Sequence, residues 1–192
     1  MTYRTISVAA AFLFSGVADA HTFGAQGAGF AEGLAHPFMG IDHLLVMIAV
    51  GIWAVQAGGR AVWLIPAMFM AMMAIGAGLA YLGLNLPYVE TAILFSVVGL
   101  GLMVATSANL SRGLGVWLVG LFALFHGHAH GLEMPEAGAP LAYAAGFLLA
   151  TLSLHLAGLG LGYAGRGLTM VLKLGGVAMA ATGVYWLTSL QA

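Results

Sequence analysis

Seven histidines and six carboxylates carry most of the chemistry open to this chain, and more than half of them fall in two short stretches. The first runs His36-Pro37-Phe38-Met39-Gly40-Ile41-Asp42-His43 and continues into Met47. Pro37 suits the first turn of a helix, where its missing N–H costs nothing. On such a helix, at about 100° per residue, His36, Met39, Asp42, His43 and Met47 share one arc of roughly 140°. Two imidazoles and a carboxylate on one stripe form a nitrogen/oxygen donor set for a divalent transition metal, with Met39 and Met47 as optional soft neighbours. The competing reading is structural: a capping histidine, and a buried His–Asp hydrogen bond that locks two helices.

The second stretch is Phe125-His126-Gly127-His128-Ala129-His130-Gly131-Leu132-Glu133. His126, His130 and Glu133 are spaced i, i+4, i+7 and share a helical face, whereas His128 points almost oppositely. An i, i+4 histidine pair lets both imidazoles converge on one ion. Other residues carry weaker signals. Glu90 opens an apolar run, as a third-helix ligand or a solvated helix-start acid. His155 lies about two-thirds of the way along another run, as an inner relay point or a histidine bonded to a neighbouring helix. Met68, Met70, Met72 and Met73 spread around their helix, which favours packing, though Phe69 among them could narrow a pore.

These residues must be positioned by elements that lie in lipid. Of 192 residues, 62% are hydrophobic and 6% charged, with a net charge of -1 and no cysteine. Soluble domains carry roughly a quarter of their residues charged, and the mean hydropathy of +1.03 points the same way. No two basic residues cluster, which excludes nucleic-acid binding through a basic surface. The missing thiols exclude disulfides, iron–sulfur clusters and thiolate metal sites. The expected class is an all-α membrane protein.

Met1 to Arg4 forms a positive n-region, Ile6 to Val17 an apolar h-region, and Ala18-Asp19-Ala20 a small-x-small cleavage site. Residues 1–20 therefore read as a signal peptide. Cleavage would leave His21, with its free amine and imidazole, as the mature N-terminus. Residues 21–192 read as a single domain of six transmembrane helices, near 37–57, 62–83, 88–108, 113–132, 139–162 and 168–189. Turn residues separate them, among them Gly58-Gly59-Arg60 and Asn85-Leu86-Pro87. Gly127/Gly131 and Gly158/Gly162 have the spacing of close-packed membrane helices. Arg60, Arg112, Arg166 and Lys173 fall at the connections on one side, while Glu90, Glu133 and Glu136 adjoin the other. The positive-inside rule then puts both mature termini in the periplasm of a bacterial inner membrane.

The stretch HPFMGIDHLLVMIAVG together with FHGHAHGLE resembles the HupE/UreJ family of small bacterial membrane proteins linked to hydrogenase and urease maturation. The resemblance covers the whole chain, signal peptide and six spans included. It implies a permease for nickel, with cobalt as a second cargo. It also implies that His36, Asp42, His43, His130 and Glu133 are important, and Glu90 with them on a less distinctive local sequence.

The donor set accommodates Ni²⁺, Co²⁺, Zn²⁺ and Cu²⁺ without choosing among them. No prosthetic group is expected; the metal is cargo, and the lipid bilayer is the other partner. There is no Walker A loop and only one lysine, Lys173, so ATP binding by that route is excluded. Transport would be facilitated, ion-coupled or driven by another protein. Two further classes are open: an intramembrane zinc-dependent hydrolase, with water at a fourth ligand position, and a metal sensor that does not transport. The hydrolase needs a nucleophile or general base beside the clusters, and Ser96 and Ser153 fall on other spans.

Overall fold

The computed structural model describes residues 29–134 and 139–190. The expected signal peptide, His21 and Glu136 lie outside them. Among the described residues the chain forms helices and no strands: α1 (Phe30–Ala35), α2 (Ile41–Ala57), α3 (Ala61–Tyr81), α4 (Val89–Thr106), α5 (Arg112–Leu132), α6 (Pro140–Ala164) and α7 (Thr169–Ser189), with short 3₁₀ turns at His36–Phe38 and Gly165–Gly167. Helices α3 to α7 start and stop within about two residues of the apolar runs. Their ends are set by local chemistry. Ser111 caps α5 by accepting the Leu114 N–H, and Pro140 occupies the first turn of α6. Gly58 closes α2 at φ 70°, a conformation that glycine adopts without strain.

The first run departs from expectation. It is not one helix opened by Pro37 but a bent pair, Phe30–Phe38 and Ile41–Ala57, meeting at 81°. Pro37 sits in the separate 3₁₀ turn, and Gly40, in extended conformation (φ -93°, ψ 122°), starts α2 afresh. His36 therefore does not lie on a continuous stripe with Asp42 and His43. Helix α1 was not expected either. It packs on α6, where Cβ atoms on Gly33 and Gly146 would strike the Tyr143 and Phe30 carbonyls.

Helices α3, α4, α7 and α6 with its 3₁₀ extension are long and apolar enough to cross a membrane, and the bent pair makes a fifth candidate. A 21-residue helix such as α3 is about 31 Å long, close to the thickness of a hydrocarbon core. Helix α5 is as long, but His126, His128 and His130 lower its hydropathy. The chain is thus a multi-pass membrane protein.

Three close pairings organise the bundle: α2 with α6, α3 with α5, and α4 with α7. Glycines permit each one. A Cβ on Gly51 or Gly158 would meet the backbone of the other helix of the first pair, Gly127 and Gly131 lie against Met73 and Ala77, and Gly101 lies against Ala180. These approaches run α2 parallel to α6 and α3 parallel to α5, so the two histidine stretches share one end of the bundle. Arg60, Arg112 and Arg166 lie at the other end. Apolar side chains fill the interior (Trp53, Ile65, Phe69) and also cover the outside (Trp63, Phe95, Leu102), as a lipid solvent requires.

Candidate metal centre

Gly40 positions the first half of the site. Its carbonyl accepts the Leu44 N–H, which starts α2 and places Asp42 and His43 in the first turn. Orphan backbone N–H groups there favour the Asp42 carboxylate. The His43 imidazole folds back over Gly40, where any Cβ would collide with it. Helix α5 supplies the second half along one face, with His126 deep, His130 a turn above it, and Glu133 just past the helix end.

The two halves meet. His43 and His130 have ring centroids 4.2 Å apart, and His43 and His126 5.7 Å. The 81° bend swings His36 back over them, 4.9 Å from the His130 ring and 6.3 Å from that of His43. Glu133 binds both outer imidazoles: its Oε2 lies 3.2 Å from His36 Nε2 and 3.2 Å from His130 Nδ1. Ligand atoms of His36, His130 and Glu133 all lie within 4.8 Å of one another, close enough to hold one ion. Asp42 Oδ2 is 3.6 Å from His43 Nε2, an ion-pair distance.

Hydrogen bonds fix which nitrogens remain free. His126 Nδ1 donates to the Phe122 carbonyl (3.1 Å), and His130 Nδ1 donates to Glu133. Each leaves Nε2 as a lone pair, the arrangement by which metal-binding histidines are usually oriented. Both Nε2 atoms, and His43 Nδ1, are buried without a hydrogen-bond partner among the described residues. Burial grades across the site: side-chain exposure falls from 35% at Glu133 and 28% at Asp42 to 12% at His43 and 4% at His130. The carboxylates form a rim and the imidazoles a floor. Partial burial of Glu133 opposes its ionisation, but hydrogen bonds from His130 and His36 outweigh this and hold its carboxyl below the usual carboxylate range.

Other residues singled out from the sequence lie elsewhere. His128 points away from the cluster; its Nε2 is 2.8 Å from the Leu84 carbonyl and 3.1 Å from the Leu86 N–H. One nitrogen cannot donate and accept at once, and the shorter contact makes it the donor to Leu84. Glu90 is exposed in the first turn of α4, outside the three-residue group. Met73 is buried, while Met68 and Met72 pack over Gly120, so these methionines serve helix contact. Ser96 and Ser153 donate to carbonyls three residues back in their own helices. Two aromatic neighbours of the site were not anticipated: Phe147, 4.4 Å from the His130 ring, and Tyr143, 6.0 Å from His36. An aromatic in an apolar run looks like packing, and only the packing of α6 against α1 and α2 brings these two to the cluster.

Residues 9–186 match the family described as HupE / UreJ protein. The chain is 43% identical over 189 residues to Protein HupE of Rhizobium leguminosarum bv. viciae, covering 95% of this chain and 97% of that one. No solved structure matches.

Proposed function

This chain belongs to the HupE / UreJ family, and from that membership we propose that it is a secondary permease carrying a divalent transition metal from periplasm to cytoplasm. Ni²⁺ is the first cargo to test, with Co²⁺ and Zn²⁺ as alternatives. The observation that carries the reading is the meeting of His36, His43, His130 and Glu133 at one end of an otherwise apolar bundle. Buried polar groups are costly in lipid, and a cation shared among them offsets that cost. Six spans are proposed, with the bent pair as the first and α5 as the fourth, its imidazoles shielded between helices. Exposed Glu90, at the same end as the cluster, would concentrate cations outside the site.

Asp42 and Glu133 would meet the hydrated ion first. The imidazoles of His36, His43, His130 and His126 would then replace its water. Nitrogen and carboxylate ligands hold such ions without the tenacity of thiolates, which suits a site that must release. Uptake of Ni²⁺ into liposomes holding the purified chain alone tests the reading. Time-dependent, saturable entry without ATP is expected, and loss of that entry in His130→Ala. Wild-type liposomes no more permeable than empty ones would overturn it.

A further inference from the structure

Three buried polar atoms lie on α6, beyond Phe147 and away from the cluster: Thr151 Oγ1 and both ring nitrogens of His155, none with a hydrogen-bond partner among the described residues. Thr151 and His155 are fully buried and four residues apart, hence neighbours on one helix face. The depth of His155 is set by α2, and Thr151 lies one turn nearer the cluster. Gly51 packs against the His155 carbonyl, eight residues and about 12 Å along the helix beyond His43. Between the two levels stands the buried ring of Phe69, 6.0 Å from His126 and edge-on to His155 at 5.0 Å. A structural histidine at this depth would bond to a neighbouring helix, because an unpaired imidazole in a dry core is unfavourable. Among the described residues His155 makes no such bond.

We propose that His155, with Thr151, is a second, inner binding station for a divalent transition-metal ion, separated from the outer cluster by the Phe69 ring. The inference rests on the permease reading. His155 supplies an imidazole lone pair and Thr151 a hydroxyl oxygen, a weaker set than the outer one, so an ion arriving there is poised to leave. Phe69 must turn aside for the ion to pass between levels.

The test compares His155→Leu, which fills the volume without a ligand, with His155→Cys, which restores one of softer character. Both are reconstituted as the full chain in liposomes at matched protein level. His155→Leu is expected to lower Ni²⁺ flux at least about tenfold while equilibrium Ni²⁺ binding at the outer cluster persists. His155→Cys is expected to recover flux and to shift ion preference toward Cd²⁺, which a packing role would not produce. Wild-type flux in His155→Leu, or equal loss of flux in both variants with no change in preference, would overturn the inner station and leave the permease reading standing. Absence of flux in the wild type would overturn both.

Discussion

His128 and His130 stand two positions apart on α5 and have different partners. His130 sits among His36, His43 and Glu133, whereas His128 ties the Leu84–Leu86 connection to the bundle. His130→Ala should abolish Ni²⁺ binding at normal membrane levels. His128→Ala should keep binding but lower stability by about 1–3 kcal/mol, the cost of an unmade buried hydrogen bond. Equilibrium dialysis and thermal unfolding in detergent separate the two. Acid should act through the imidazoles rather than through Glu133. Its carboxyl, held below the ordinary 4.5, stays ionised as pH falls through that value. Its contribution to stability is therefore full above 4.5 and is lost only as pH drops through the lower folded value. Protonated imidazoles cannot ligate, so acid should weaken binding by competing for their lone pairs. Glu133→Gln should lower affinity at neutral pH without removing that acid-side loss, as a binding titration against pH would record. The shared face of His126, His130 and Glu133 was legible from spacing alone. Phe147 and Tyr143 were not, since nothing local distinguishes an aromatic beside the cluster from one that faces a neighbouring helix.

At the scale of elements, the restart of the chain at Gly40 matters most. Helices near 62–83 through 168–189 could be read because apolar runs end at glycine, proline and asparagine, and the structure places α3 to α7 there. The bend could not. Pro37 is compatible with the first turn of a long helix, and only Gly40, three residues on, hints that the turn ends and another helix begins. Without the bend His36 would point along α2 instead of back over His130. Gly40→Ala should therefore disturb the site more than the fold, because its Cβ would meet the His43 ring and approach Asp42 Oδ1 at 2.9 Å. We expect Ni²⁺ affinity to fall at least about tenfold with helical circular dichroism unchanged, in line with changes to groups that orient ligands. Gly127→Leu should do the reverse. It would force α3 from α5 against the Met73 carbonyl and cost about 1–3 kcal/mol or more, seen as a lower unfolding temperature.

The whole bundle has an electrical sense that follows from where its few charges lie. Arg60, Arg112, Arg166 and Lys173 belong to one end, and Asp42, Glu90 and Glu133 to the other. Proposed as inner and outer faces, these ends predict that a reporter on the C-terminus is active in the periplasm, and that a cysteine at Arg166 reacts with impermeant reagents only from the cytoplasm. Labelling at Arg166 from outside would invert the proposed direction of transport. The graded exposure from Glu133 and Asp42 down to His130 has a kinetic consequence as well. An ion descending that slope gives up its bound waters one after another, so the lability of its hydration shell, rather than the strength of its final coordination, should set the pace. Co²⁺ exchanges water faster than Ni²⁺, so at saturating concentrations it should cross faster despite weaker binding. A selectivity measured by affinity and one measured by turnover would then rank the same two metals in opposite order.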